Sequence, residues 1–333
     1  MKLTPLFVLT LALLGSGNAQ AQFFHDPVLQ ALMAAEKFTE LDNLARQRTA
    51  ARPDDAQAVL GLALAAMSDL GGPARREAAI RQAEGCVKQA PQAAECHYAL
   101  GVVLGVHAMS QGMVKIAASI GTVKSALLES MMLAPQWYPA RSAVVEFYLQ
   151  APALLGGSTG KAVEAAKGAA RPEQVRALQA RVALADERFE AAIAGLSALP
   201  VGADDTLADD VQQWLAAAGF GLLGKGQAAQ ARPVFERLQR EHPAQAMGAY
   251  GLGRVLFEQG ELAEAVKRFE LARPLKGAAQ LPIDYRLGIA LQAQGQAEPA
   301  KAALARFVAA GKGNGKALDD AKKRLVQLGQ PAG

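Results

Sequence analysis

Apolar residues recur at intervals of three and four positions along almost the whole chain, which is the spacing of an amphipathic α-helix. Alanine, leucine, glutamine, glutamate, lysine and arginine dominate these segments, and all of them favour helices. Long alternating runs of β-branched and aromatic residues, which mark strands, do not occur. Glycine and proline fall mainly between the helical segments. The pattern therefore predicts an all-α chain with about eight helix pairs between residues 27 and 310.

The helical segments repeat in the C-terminal third of the chain. Gly226, Gly260 and Gly295 each follow an apolar helix, at spacings of 34 and 35 residues. Leucine–glycine pairs precede two of these glycines: Leu252-Gly253 and Leu287-Gly288. After each of the three glycines, an alanine is followed four positions later by a large residue: Ala231 with Phe235, Ala265 with Phe269, and Ala300 with Leu304. Small residues at regular places allow two helices to cross closely, and large residues fill the space beside them.

A repeat of about 34 residues with these small and large positions resembles the tetratricopeptide repeat. Upstream, Leu60-Gly61 and Leu100-Gly101 continue the pattern less regularly. The resemblance implies a solenoid of stacked antiparallel helix pairs, wound as a right-handed superhelix. Together with the N-terminal leader described below (1–21, a predicted signal peptide), the resemblance divides the chain into degenerate repeats (22–205), regular repeats (206–310) and a capping helix with a tail (311–333).

The last predicted helix has the pattern of a cap for such an array. One of its faces is apolar and the other is charged, so the first can cover the last repeat while the second meets water. The apolar residues are Leu318, Ala321, Leu325 and Leu328, and the charged ones are Asp319, Asp320, Lys322 and Lys323.

The N-terminus is typical of an export signal. Lys2 is followed by the short apolar stretch from Leu6 to Leu14, and the sequence Ala19-Gln20-Ala21 fits a cleavage site. We therefore expect cleavage between Ala21 and Gln22 and a location in a bacterial periplasm. Beyond this leader, no stretch is expected to approach the ~20 apolar residues of a membrane span, so the mature chain is predicted to have no such span.

Cys86 and Cys96 are the two cysteines of the chain, ten residues apart. In an oxidising compartment two such residues on consecutive packed helices can form a disulfide. The alternative is that both are small buried residues with free thiols.

Composition and spacing give little support for other kinds of site. A net charge of +4 is too small to predict nucleic-acid binding. The four histidines do not cluster with carboxylates at the spacing of a metal site, and no catalytic triad can be assembled. The segment Gly156–Ala162 only superficially resembles a phosphate-binding loop, because Ala162 stands where a hydroxyl would bind magnesium. We therefore predict no metal, no cofactor and no catalysis.

The first helices of the repeats supply the candidate binding residues. In the family that the chain resembles, these helices line a concave groove, and tyrosine and arginine often anchor a partner. The candidates are Tyr98, Phe220, Tyr250, Arg254, Phe257 and Tyr285. The alternative is that tyrosine at this place serves only the packing of the repeats.

The function predicted from the sequence is a periplasmic scaffold or adaptor whose groove binds a protein or peptide of the cell envelope. Two alternatives remain open at this point. One is a structural homo-oligomer of the envelope, and the other is an enzyme with a site within residues 109–205, where converging polar groups with shifted pKa values would be required.

Overall fold

The computed structural model describes residues 23–68, 71–199, 207–311 and 315–329. Seventeen α-helices and no strand occur in these ranges, so the predicted all-α helical-repeat solenoid is confirmed. The predicted signal peptide, with its cleavage site at Ala21 and Gln22, lies outside the described residues.

The chain forms two compact units. The first contains the described residues up to 186 together with 195–211, and the second contains 187–194 together with the described residues from 212 onwards. The first nine helices belong to the first unit: α1 Pro27–Ala34, α2 Phe38–Ala51, α3 Ala56–Met67, α4 Pro73–Gln89, α5 Ala94–Gln111, α6 Met113–Leu133, α7 Tyr138–Gln150, α8 Thr159–Lys167 and α9 Pro172–Ala185.

Two helices contain residues of both units, and six lie entirely in the second. The former are α10 Phe189–Ser197 and α11 Ala208–Gly224. The latter are α12 Ala228–Glu241, α13 Ala246–Glu258, α14 Leu262–Ala272, α15 Ile283–Ala293, α16 Ala297–Ala310 and α17 Gly315–Gly329.

Odd-numbered helices are the first members of the pairs and even-numbered helices the second. The leucine–glycine pairs all fall on first helices, as the sequence pattern indicated. Gly253 shows why: a Cβ atom added there would lie 2.6 Å from the Phe269 ring of α14. Gly101 stands in the same relation to Leu127, also at 2.6 Å, in the first unit. The absence of a side chain lets the second helix of each pair approach closely.

A disulfide links α4 to α5 in the first unit. It joins Cys86 to Cys96, whose Cα atoms lie 5.6 Å apart, and both residues are fully buried. The same apolar core contains Leu60, Leu64 and Tyr98. The bond therefore fixes the second helix of one pair to the first helix of the next at the centre of this core.

The helix α6 departs from the pattern of the repeats. At 21 residues it is longer than α4 and α14, which have 17 and 11. Its mean hydropathy of 1.3 and its length would suffice to cross a membrane, and 22% of the most apolar 18-residue window is buried. The expectation that no stretch beyond the leader reaches this length and apolarity was wrong.

The helix α17 covers the last pair as the pattern of its two faces predicted. Ala321 is fully buried against Leu304 and Phe307 of α16, and Leu318, Leu325 and Leu328 pack around them. On the opposite face Asp319, Lys322 and Lys323 are exposed. Asp320 differs from these three because it accepts a hydrogen bond from the Tyr285 hydroxyl at 2.8 Å.

Candidate functional site

Three first helices of the second unit, α11, α13 and α15, end in the same kind of turn. Gly226, Gly260 and Gly295 have φ angles of +75°, +80° and +76°, a left-handed conformation that glycine adopts without steric strain. The residues six positions before these glycines therefore occupy corresponding places in the three pairs. They are Phe220, Arg254 and Ile289, and all three are half-buried.

A series of aromatic contacts lies beneath these positions. The Phe220 ring centroid is 4.8 Å from that of Phe235 and 5.8 Å from that of Tyr250. The Tyr250 ring in turn lies 5.9 Å from Phe269. Such tilted pairs add to the energy of apolar burial. The series connects the α11–α12 pair with the α13–α14 pair through the Tyr250 side chain.

The structure places Tyr250 in the core rather than on an open wall. The residue is 3% exposed and packs among apolar residues of α13, α14 and α15. Tyr98, at the corresponding place in the first unit, is 6% exposed and lies 4.9 Å from the Trp137 ring. Burial raises the pKa of Tyr98 above its ordinary value. Both tyrosines of the predicted groove therefore serve the packing of the repeats.

Tyr285 is half-buried, and its hydroxyl is engaged by the capping helix. It donates to Asp320, while Arg324 of the same helix donates to the Gln292 side chain at 2.8 Å. Burial and the Asp320 carboxylate raise the pKa of Tyr285. The Tyr285 ring also packs 5.2 Å from that of Phe307. This side chain is thus part of the cap rather than a free anchor for a partner.

Arg254 is one of two arginines on α13 and α15 whose hydrogen bonding is incomplete among the described residues; the other is Arg286. The Arg254 side chain is 18% exposed, and the closest carboxylate is Glu258, at 4.0 Å from Nη2. Within the part of the chain that the structure describes, the buried Nε of Arg254 has no hydrogen-bond acceptor. An unsatisfied buried donor costs free energy, and the exposed 18% of the same side chain is the part that a ligand with an acceptor group can reach.

Phe257 lies one helical turn after Arg254 on the same face of α13, since residues three apart on a helix are neighbours. Like Phe220, it is partly buried against the core of the second unit. We name Phe220, Arg254, Phe257 and Ile289 the first-helix face. The sequence prediction missed Ile289, although its place six residues before Gly295 was the signal that could have identified it.

A second polar group lies in the first unit, near the region proposed for the alternative enzyme. The Tyr138 hydroxyl donates to Asp210 at 2.5 Å, and the Ser142 hydroxyl donates to the same oxygen at 3.3 Å. Arg181 holds Glu146 by two hydrogen bonds of 2.5 and 2.8 Å. Burial, with a smaller contribution from Glu146, raises the pKa of Asp210 to about 6. The carboxylates here are held by tyrosine, serine and arginine donors, as in a structural network.

The raised pKa of Asp210 predicts a pH dependence of stability. Because the folded-state pKa exceeds the ordinary value of 3.8, the folded protein binds more protons than the unfolded chain between the two values. The contribution of Asp210 to the free energy of unfolding is therefore fully present below about pH 4. It decreases by about 3 kcal/mol in total as the pH rises through about 6. We expect the free energy of unfolding of the wild type to fall by this amount relative to the Asp210→Asn variant. Urea titrations across this range measure the difference.

Other carboxylates contribute equally to both proteins, so the wild type and the Asp210→Asn variant need only be compared with each other. Trp137 fluorescence in a Trp214→Phe background reports the first unit. Parallel pH profiles for the two proteins would contradict the burial of a titrating Asp210.

Comparisons with known proteins identify the repeat. Sequence models described as tetratricopeptide repeats match residues 222–281 and 284–310. These two segments of the chain consist of tetratricopeptide repeats. Among curated proteins, none matches this sequence. Within the described residues, no group of three histidine, cysteine, aspartate or glutamate side chains could hold a metal ion.

Solved structures of tetratricopeptide repeat and other proteins are similar in fold. A monomeric mutant of IFIT1 with Gppp-AAAA has a TM-score of 0.52 at 12% identity, covering 89% of this chain and 68% of that one. A tetratricopeptide repeat protein from Parabacteroides merdae has a TM-score of 0.48 at 13% identity, covering 76% of this chain and 93% of that one. Pseudomonas aeruginosa pilF has a TM-score of 0.44 at 15% identity, covering 69% of this chain and 98% of that one. The fold suggests a scaffold for interactions between proteins, and such repeats bind proteins or peptides.

Proposed function

We propose that the chain is an exported adaptor of the bacterial cell envelope, which binds a protein or peptide on its first-helix face and catalyses no reaction. Scaffolds of the tetratricopeptide family are generally not catalytic, which supports the last point. The observation that carries the proposal is Arg254, an incompletely hydrogen-bonded guanidinium that is 18% exposed. The same face carries Phe257 and, at the corresponding place in the preceding pair, Phe220.

The chemistry of this face specifies the group that it would bind. A guanidinium with a free donor and little exposure favours a carboxylate or a backbone carbonyl, and aromatic side chains favour an apolar neighbour. The ligand that fits is therefore a peptide segment with an acceptor group beside an apolar side chain.

Replacing Arg254 tests the binding. In the full chain carrying an affinity tag, Arg254→Gln should weaken retention of the captured envelope partner by about 30-fold, because an arginine anchor contributes about 2 kcal/mol. The matched control is Arg240→Gln, since Arg240 is exposed on α12, a second helix of a pair. Equal losses in the two variants, or none in either, would contradict the assigned role of Arg254.

Export is the second part of the proposal, and the leader pattern together with the Cys86–Cys96 disulfide supports it. We expect the chain isolated from bacteria to begin at Gln22 and to contain no free thiol. N-terminal sequencing and labelling of the denatured protein with a maleimide measure both. A chain that begins at Met1 and labels on two cysteines would contradict export. An Ala19→Arg, Ala21→Arg variant, which disrupts the cleavage site, serves as the control that remains uncleaved.

A further inference from the structure

Exposed apolar side chains are concentrated around α6. Among the described residues, seven large hydrophobic side chains are exposed, and four of them lie on α6 or on the short 3₁₀ segment Ala153–Leu155 that packs against it: Met113, Val114, Met132 and Leu154. Leu154 is 99% exposed and Val114 is 83% exposed. Single exposed hydrophobic residues are common on protein surfaces. A concentration of them in one region instead marks a surface that binds a protein, a ligand or a membrane.

The helix α6 is buried along one side of its second half. Val123, Ala126, Leu127 and Ser130 are buried there, whereas none of residues 113–122 is buried. With 100° of rotation per residue, the side opposite the buried one carries uncharged residues along its whole length. They are Val114, Ala117, Ala118, Gly121, Ser125 and Met132, and all are exposed. We name these six residues the outer stripe.

Three charged residues of α6 border the outer stripe: Lys115 and Lys124 flank its first half, and Glu129 borders its second half. Lys115 and Lys124 are nine positions apart, which places them at opposite edges of the stripe. Neither is paired with an acid among the described residues. From Cys96 to Leu128, over 33 residues, the sequence contains no aspartate or glutamate. The first half of this surface is therefore uncharged in the middle and positively charged at its edges, and α6 as a whole carries two lysines against one glutamate.

This charge pattern decides between the possible occupants. A second copy of the chain packed on this stripe would bring four α6 lysines together, with only the two Glu129 carboxylates of the paired α6 helices to neutralise them. An anionic lipid surface meets both requirements, because its acyl chains accept the apolar stripe and its phosphates accept lysines that extend to the headgroups. The most apolar 18-residue window of α6 has a mean hydropathy of 1.3, which is compatible with contact with lipid. Only the outer stripe, and not the whole circumference of α6, is available for such contact, because the opposite side is buried in the first unit.

We propose that the outer stripe of α6 binds the surface of an anionic phospholipid membrane, with α6 lying in the interface and Lys115 and Lys124 contacting lipid phosphates. This surface lies in the first unit and is separate from the first-helix face. It gives the protein a second interaction, with lipid, that does not depend on the partner of the proposed adaptor.

A fluorescent probe on the stripe tests the proposal. Cys86 and Cys96 are joined in the disulfide, so a cysteine introduced at Ala117 can be labelled selectively with an environment-sensitive fluorophore. In the full chain, emission from residue 117 should shift to the blue on titration with vesicles of equal parts phosphatidylglycerol and phosphatidylcholine. The same probe at Ala302, which is exposed on α16, should not shift. Because the readout is local, binding by the N-terminal leader does not produce it.

Two pairs of substitutions separate the apolar contribution from the charged one. Val114→Glu with Met132→Glu should weaken the affinity measured at residue 117 by more than about 10-fold, because two exposed apolar side chains no longer enter the lipid. The matched control is Val28→Glu with Val326→Glu, which adds the same charge at side chains that are 57% and 64% exposed elsewhere. Lys115→Gln with Lys124→Gln should weaken the affinity for vesicles measured at residue 117 by about 5-fold for each lysine replaced.

The outcomes that overturn the proposal are specific. No blue shift with vesicles, equal affinity for pure phosphatidylcholine vesicles, or an equal loss in the Val28→Glu, Val326→Glu control would each do so. A shift that depends on protein concentration without vesicles would indicate a second copy as the occupant. Photo-crosslinking from residue 117 to another protein, with no shift on vesicles, would indicate a protein partner instead. Failure of Arg254→Gln to reduce partner retention would leave these results unaffected.

Discussion

Gly248→Ala is expected to destabilise the second unit by more than about 3 kcal/mol, although alanine is the better helix former. A Cβ atom at position 248 of α13 would lie 2.4 Å from the backbone nitrogen of Gln239 and 2.6 Å from its Cα, both on α12. A backbone cannot rotate away as a flexible side chain can, so the two helices must separate. The measurement is the free energy of unfolding in urea, followed by fluorescence of the buried Trp214 in a Trp137→Phe background.

Gly224→Ala is the matched control for this substitution. Gly224 is also helical, at the end of α11, and a Cβ atom there would have no neighbour within 4 Å. We expect this variant to be as stable as the wild type or up to about 1 kcal/mol more stable. Similar stabilities of the two alanine variants would contradict the close approach of α12 and α13.

Phe235→Ala is expected to cost about 3–5 kcal/mol in the same measurement. Phe235 of α12 is fully buried, and its ring fills the space left by Gly219 of α11 and Gly251 of α13. It also contacts the Phe220 ring at 4.8 Å. Removing the ring leaves a cavity at the point where three helices meet, and glycine offers no side chain to fill it.

Phe257→Ala separates packing from binding. This ring is half-buried at the edge of the same unit, so its loss should cost clearly less stability than the loss of Phe235. On the first-helix face, however, Phe257→Ala should weaken binding of the partner, as Arg254→Gln does. Equal destabilisation by Phe235→Ala and Phe257→Ala would mean that the core of the unit is not centred on Phe235.

The repeat geometry could be predicted from the sequence because it depends on local rules. A glycine with positive φ follows α11, α13 and α15, and a leucine–glycine pair facing a large residue sets how closely the helices of a pair cross. These rules recur at a fixed spacing, so the positions of Gly260 and Phe269 identify the pairs without any structure. The apolar face of α17 was predicted in the same way.

The exposure of individual aromatic residues could not be predicted in this way. Phe220 and Tyr250 lie on the first helices of neighbouring pairs. The Tyr250 ring is nevertheless enclosed between Phe220 of the preceding pair and Phe269 of its own pair, whereas Phe220 stays partly exposed. Burial of a residue on a first helix depends on how the next pair packs, and periodicity within one helix does not contain this information. Asp210 is a second case, because its environment comes from Tyr138, 72 residues earlier in the chain.

The disposition of α6 shows a third limit. Its sequence is mostly apolar, with three charged residues among 21, and such a composition is typical of a helix in the interior of a protein. The structure instead leaves one side exposed, because α5 covers the opposite side and no later helix packs over residues 114, 117 and 118. How many helices pack against a given helix depends on the arrangement of the whole unit and cannot be predicted from the sequence of that helix alone.

Photo-crosslinking from Phe257 tests the central claim, that the first-helix face binds a protein partner. A photoreactive amino acid is placed at position 257 in the full chain with its own leader, and adducts formed in living bacteria are identified by mass spectrometry. The control position is Lys267, which is exposed on α14. The account predicts one envelope protein captured from 257, absent from 267, and lost when Arg254→Gln is added. The same adducts from both positions, or adducts only with the chain itself, would contradict it.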